Sequence, residues 1–300
     1  MDATRRQDGQ ATPEREDASV VIPTIGRVAL LRECLDSLAA CRPGPAEVVV
    51  VDQSGGPEVA DLVLGYSQLS ARVVESETRG VAAARNAGLE AAAHDLVLMT
   101  DDDCTVAPDW VDVSTRLAEA DPRVIVTGRV LATGDDSAVP STIAGLERHD
   151  YTGTARYFVL YTGNMALNRT EVLAVGGFDE ALRTAEDNDL CYRWLTSGRR
   201  LIYEPSMVVW HNDWRSPEEL ELVYASYCRG QGAVYAKHIS AGDFRMLYYL
   251  LREVYWSARV WVGQLIGRPQ PQANTRRGAL RALAAGFTEY LRRRRATRPA

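Results

Sequence analysis

Hydrophobic and polar positions fall into two kinds of block along the first third of the chain. Residues 19–22, 47–51, 72–74 and 95–99 are short runs rich in valine, isoleucine and leucine, the signature of strands buried on both faces. Between them, Leu30, Leu31, Cys34, Leu35 and Leu38 recur at helical spacing, residues 59–66 do the same, and residues 81–93 form an alanine-rich helical stretch. Regular strand–helix alternation predicts parallel strands in one open sheet with right-handed crossovers. Ligands of such sheets bind where loops leave the carboxyl ends of the strands. Those ends are Pro23-Thr24, Asp52-Gln53, residues 75–80 and residues 100–103, so one polar rim is expected.

The pattern then changes. Residues 123–204 mix short strands with loops containing Gly153, Gly163, Gly176 and Gly177, and are expected to cover the rim. After Pro217 it turns helical, with one apolar stripe through Leu247, Leu250, Leu251, Val254, Ala258, Trp261, Val262 and Leu265. A second runs through Leu280, Leu283, Ala284, Phe287, Tyr290 and Leu291, beyond a hinge at 267–272. The division this predicts is a disordered leader at 1–17, an α/β unit at 18–216 with halves meeting at 104/105, and a helical extension at 217–300.

Composition narrows the picture. With 300 residues, 46% hydrophobic and 25% charged, the chain is long enough to bury a substantial core. Its five scattered cysteines, without a CxxC, argue against a disulfide framework or zinc site and fit a reducing, cytoplasmic compartment. The polar first seventeen residues are no secretory signal, and no run reaches the roughly 18 apolar residues of a spanning helix. The net charge of −6 is uneven: from Arg268 onward there are nine arginines and one glutamate. Such a basic tail is either a solvated helix end or a contact for the inner face of a membrane. The stripe at 280–291 packs either on the body or on another subunit, as in a homodimer. Nucleic acid is not an expected partner, because aromatic and basic residues do not interleave on any strand.

Candidate chemistry gathers at four places. Asp101, Asp102 and Asp103 follow an apolar strand; three adjacent carboxylates repel unless a cation compensates them, and Mg²⁺ or Mn²⁺ suits oxygen ligands. Extended geometry puts Asp101 and Asp103 on one side, Asp103 toward metal and Asp101 toward a ribose or the metal's waters. The bland alternative is an acidic turn before a helix near Pro108. Arg79 and Gly80 open the alanine-rich helix, which carries Arg85 on its alanine face; either a guanidinium there meets a phosphate or base, or the helix packs through alanines with its arginine in solvent. Gly176-Gly177-Phe178-Asp179-Glu180 precedes Glu186-Asp187, where a carboxylate can take a proton from a hydroxyl or simply sit at a helix N-terminus. His211 ends an apolar run and is either a packed core residue or a metal or diphosphate contact.

Taken in order, these residues resemble the family 2 glycosyltransferases of GT-A fold. The match runs from Ile22-Pro23-Thr24 through Asp52, Arg79-Gly80 with Arg85, Thr100 to Asp103, Gly163-Asn164, Gly176 to Glu180 and Glu186-Asp187 to His211. The resemblance implies an α/β, Rossmann-like, mostly parallel sheet flanked by helices and followed by the helical extension. It implies a catalytic domain over 18–216 with a nucleotide-binding half, 18–104, and an acceptor half, 105–216. Pro23, Thr24, Asp52 and Arg85 would hold the nucleotide, with Arg79, Gly80, Asp101 and Asp102 close to it. Asp103, with His211, would bind Mn²⁺ or Mg²⁺, and Asp187 would be the base of an inverting transfer. Glu186, Asn164 and Gly177 would shape the sugar and acceptor pocket. The partners so implied are a nucleotide-sugar donor and a hydroxyl acceptor on a glycan, a lipid carrier or a small molecule; contact of the basic tail with the inner membrane face would suit a lipid-linked acceptor.

Two departures matter. Thr78 stands where many relatives have Asn, and no QxxRW-type motif of processive synthases follows, which favours transfer of a single sugar. A nucleotidylyltransferase would need a glycine-rich basic loop after the first strand, where Pro23-Thr24-Ile25-Gly26-Arg27 has one glycine. A dinucleotide oxidoreductase would need GxGxxG there. A non-catalytic binding protein using the arginine tail is the third alternative.

Overall fold

Alternate residues of four neighbouring strands point to opposite faces of a central sheet, and each face is closed by its own helices. The computed structural model describes residues 15–134, 139, 142–154, 157–212, 215–266 and 279–296. The strands are β1 (Arg15–Thr24), β2 (Gly44–Asp52), β3 (Ala71–Glu75), β4 (Leu96–Thr100), β5 (Cys104–Val106), β6 (Val124–Ala132), β7 (His149–Tyr151), β8 (Asn164–Asn168) and β9 (Arg200–His211). The helices are α1 (Val28–Ala40), α2 (Glu58–Val63), α3 (Val81–Ala91), α4 (Trp110–Glu119), α5 (Arg169–Ala174), α6 (Glu186–Thr196), α7 (Pro217–Ser240), α8 (Arg245–Leu265) and α9 (Ala279–Ala296).

The sheet order is β3-β2-β1-β4-β8-β6-β9-β5, with β7 pairing to β9. Strands β1 to β4 are parallel, as the alternation predicts, and their carboxyl ends make the expected rim. Beyond them β8 runs antiparallel to β4 and β6, while β6 and β9 are parallel, so the second half is mixed. Val20, Ile22, Val48, Val50 and Leu98 pack against α1, α2 and α4. Their neighbours Val21, Val49, Val51, Val97 and Met99 pack against α3, α5 and α6. This period of two builds three layers from one run of valines.

One boundary differs from expectation. Strand β1 begins at Arg15, so residues 15–17, expected in the leader, belong to the sheet: the Arg15 guanidinium donates to Ala46 O at 3.2 Å, Gln68 O at 2.6 Å and Ser70 Oγ at 2.8 Å. The rest of the leader, and the hinge at 267–272, lie outside the described residues. The helical extension starts at α7, whose N-terminus is held by a capping box between Ser216 and Glu219.

Candidate active site

Strand β4 ends at Thr100 and releases the three aspartates into different surroundings. Asp101 and Asp103 line a cavity of about 600 Å³ at the rim, and Asp102 does not. Asp102 is fully buried, accepting hydrogen bonds from Thr24 Oγ1 at 2.6 Å and from the Arg27 guanidinium. Burial pushes its carboxyl up to about 6 against the pull of Arg27. The expectation that Asp102 touches the nucleotide is therefore corrected: it points inward and fixes Thr24 and Arg27. Asp103 receives Arg27 Nη1 at 2.9 Å and Arg215 Nη2 at 3.1 Å, with His211 Nε2 at 3.6 Å.

Helix α3 reconciles both readings of its alanines. Gly88 lies so close to the sheet that a β-carbon there would come within 2.3 Å of Val21, and Ala82 and Ala84 share the contact. Arg85 is also buried, at 4% exposure, because it has carboxylate partners: Nη2 donates to Asp101 at 3.0 Å and Nη1 to Glu186. Burial works against its charge, but Asp101, Glu186 and Asp187 hold the guanidinium protonated. Its Nε–H is buried with no protein acceptor among the described residues. On the same helix, Asn86 bonds the Phe178 backbone in both directions at 2.9 Å, tying α3 to the Gly-Gly-Phe-Asp-Glu loop.

Helix α6 brings the second acidic group to the cavity. Its N-cap, Ala185, has φ 63°, a left-handed conformation that costs a β-carbon-bearing residue free energy. Packing holds it there. Gly230 of α7 sits against the Thr184 carbonyl, where a β-carbon would come within 2.3 Å, and Thr184 Oγ1 donates to Ser226 O at 2.8 Å. Glu186, Asp187 and Asn188 thereby face the cavity. Burial, then the neighbouring Glu186 charge, raise the Asp187 carboxyl to about 7, opposed by the Asn188 N–H and by Arg85. The other acidic residues of this stretch are structural. Asp189 is fully buried among Arg193 at 2.7 Å, Lys237 at 2.8 Å and His238 at 2.8 Å, and Asp179 bonds Lys237 at 2.6 Å.

Of the expected site residues, Pro23, Thr24, Arg79, Gly80, Arg85, Asp101, Asp103, Glu186, Asp187 and His211 line this one cavity. Besides Asp102, three others do not. Asp52 accepts from Ser54 N at 2.8 Å and Ser54 Oγ at 2.9 Å, bracing the turn after β2. Asn164 lies in the core: the β6–β9 ladder bulges after Gly128, and its Nδ2 satisfies the freed carbonyls of Arg129 at 2.8 Å and Met207 at 2.9 Å, while its Oδ1 accepts from Trp110 Nε1 at 2.8 Å. Gly177 adopts φ +57° in the turn after α5, and its carbonyl accepts from Arg193 at 2.6 Å. Side chains that sequence reasoning passed over include Arg27, Gln53, Arg215 and Tyr227. Gln53 and Arg27 stand at the predicted rim and were legible there. Arg215 and Tyr227 arrive through the chain's return at α7, which no local pattern signals.

Asp103, Cys104 and His211 present ligand atoms within 4.8 Å of one another. Burial pushes the Cys104 thiol well up, so it stays protonated and is a poor donor for a hard cation. A carboxylate and an imidazole converging at the rim fit Mn²⁺ or Mg²⁺, and the same carboxylate already collects two guanidinium groups.

The sequence profile of glycosyl transferase family 2 matches residues 19–173, just over half the chain. The chain belongs to glycosyl transferase family 2. Among curated proteins, this family 2 chain is 32% identical over 210 residues to the pre-mycofactocin glycosyltransferase of Mycobacterium tuberculosis, covering 67% of this chain and 43% of that protein. It therefore spans less than half the length of that relative. It is 25% identical to the glucosyl-dolichyl phosphate glucuronosyltransferase of Haloferax volcanii, covering 71% and 74% of the two chains. Among solved structures it superposes on a Pyrobaculum calidifontis mannosyltransferase in complex with GDP-Man and Mn²⁺, with a TM-score of 0.61, 19% identity and coverage of 93% and 88%. The 1–349 portion of TarS from S. aureus gives a TM-score of 0.56 at 18% identity, covering 95% and 93%. These superpositions agree with the GT-A architecture of the sheet and its flanking helices.

Proposed function

We propose that this family 2 chain transfers one sugar from a nucleoside-diphosphate donor to an acceptor hydroxyl, with inversion at the anomeric carbon. The observation that carries this reading is a single cavity in which Arg85 bonds Asp101 on one side and Glu186 on the other, with Asp187 adjacent and its carboxyl raised to about 7. Donor-side and acceptor-side groups thus share one charge network. The names of the relatives and the nucleotide sugars bound in the superposed structures support the donor class.

Asp187 accepts the proton of the acceptor hydroxyl as its oxygen bonds to the anomeric carbon and the bond to the diphosphate breaks. A carboxyl near neutrality suits that task, because at pH 7 about half of it is ionised and it is basic enough to take the proton. Glu186 holds Arg85, and the Arg85, Arg27 and Arg215 guanidinium groups that line the cavity meet the negative charge of the leaving diphosphate. Asp103 and His211 would hold Mn²⁺ or Mg²⁺, with Asp101 toward the ribose or the metal's waters; when bound, the ion supplies further positive charge at the diphosphate. Pro23, Thr24, Arg79 and Gly80 line the nucleotide side.

A thermal-shift and hydrolysis screen of nucleoside-diphosphate sugars, with Mn²⁺, Mg²⁺ or excess chelator, tests this. At least one donor is expected to raise the melting temperature and release its nucleoside diphosphate only with metal, and Asp103→Asn should lose that response. Absence of any donor response contradicts the donor class. Full activity in chelator contradicts the metal.

A further inference from the structure

Helix α8 is apolar on the side that faces away from the protein. Met246, Tyr249, Ser257 and Val260 are buried against the body. The opposite side exposes Leu247 at 39%, Tyr248 at 62%, Leu251 at 59%, Tyr255 at 58% and Val262 at 48%, along with Val254. At 100° per residue these positions fill an arc of about 120° and, from residue 247 to 262, a length of about 22 Å. Phe244 and Ile266 extend the stripe at either end, exposed at 73% and 64%. A continuous exposed apolar strip of this kind marks an interaction surface.

Within residues 1–300 no segment is left to cover it. The segments outside the described residues contain only Met1 and Trp214 as large apolar side chains and are otherwise polar, small or proline. The second amphipathic stripe is already used: in α9, Leu283 is buried, Gly286 packs against the Arg229 carbonyl of α7, and Gly232 of α7 packs against the Leu283 carbonyl. That contact packs part of the stripe at 280–291 on the body.

We propose that the outward face of α8 lies in the surface of an anionic lipid bilayer. Charge and composition choose this occupant over a second copy of the chain. Arg252 and Arg259 run along one border of the stripe, stacked over Tyr249 at 5.3 Å and Trp256 at 5.6 Å, while Arg245 at its start is paired with Asp243 at 3.0 Å. The helix has one acidic residue, Glu253, on the side facing the body near Tyr157. A second copy laid stripe to stripe would bring arginine borders together with no acid to meet them, whereas anionic headgroups are their complement. Tyr248, Tyr255 and Trp256 have the amphipathic rings favoured at headgroup depth. No described helix is long and apolar enough to cross a membrane, so the contact is one of a helix lying in the interface plane.

The test is co-sedimentation of the full chain with vesicles of phosphatidylglycerol and phosphatidylcholine, and with pure phosphatidylcholine. The wild-type chain should bind the anionic vesicles, and L251E/V262E should lower the partition coefficient about ten-fold or more. Arg252→Gln with Arg259→Gln should weaken binding to anionic vesicles while leaving the weak binding to pure phosphatidylcholine unchanged. Both substituted positions of the stripe are solvent-exposed, and an unchanged melting temperature verifies folding. Failure of the wild type to bind, binding by L251E/V262E equal to wild type, or a dimer that L251E/V262E dissociates without any vesicle binding overturns the proposal.

Discussion

At the residue scale, identical side chains acquire different work from their surroundings. Asp101, Asp102 and Asp103 are adjacent in sequence, yet one meets Arg85, one is sealed against Thr24 and Arg27, and one gathers Arg27, Arg215 and His211. Strand alternation made the separation of Asp102 from its neighbours legible, but not its burial, because the partners come from the end of β1 and the loop that follows it. The pair Asp187 and Asp189 divides similarly. Asp187→Asn should lower kcat by about 10²–10⁴ while donor affinity in thermal-shift titration persists. Because Asp187 must be ionised to act and its carboxyl is raised to about 7, kcat/KM should fall as pH drops through that value, about tenfold per unit below it. Asp189→Asn should instead cost about 3 kcal/mol in urea unfolding by leaving buried cations unpaired. Although burial opposes its charge, His238, Arg193 and Lys237 hold the Asp189 carboxyl well below its usual 3.8. Its contribution is thus present above that pH and lost below it, so the gap between wild type and variant should close in acid. Asn164→Ala should cost about 2–3 kcal/mol with kcat/KM little changed, since its hydrogen bonds serve a bulge and not the cavity.

At the element scale, the strands and α3 were legible because their causes are local. Valine runs make strands buried on both faces, and small residues let α3 approach the sheet within the reach of Gly88. The mixed pairing of β8, β6 and β9 was not legible, since register in that half depends on which strand returns beside which. The role of α7 was hidden for a similar reason: its glycines look like weak helix formers until their neighbours are known. Gly230 admits the Thr184 carbonyl and Gly232 the Leu283 carbonyl. Gly230→Ala and Gly232→Ala should each destabilise by about 1–3 kcal/mol through overpacking. They should part in kinetics: Gly230→Ala displaces the turn that presents Glu186 and Asp187 and should alter kcat and KM, whereas Gly232→Ala loosens α9 and should leave both near wild type.

At the scale of the whole molecule, the sheet serves as a frame that brings loops from β1, β4 and β9 to one rim, and α6 and α7 close it from the other side. Motifs as far apart in sequence as Pro23 and His211 meet there. Their order along the chain indicated the family, and the cavity accounts for most of that order. Asp52, Asn164 and Gly177 account for the remainder as residues that shape loops and strands and do not line the cavity. The central claim, inverting transfer with Asp187 as base, is tested most directly by proton NMR of the anomeric centre during the first turnovers with the donor found by screening. A product of configuration opposite to the donor, formed by the wild type and not by Asp187→Asn, is the predicted result; a product that retains the donor's configuration contradicts the account.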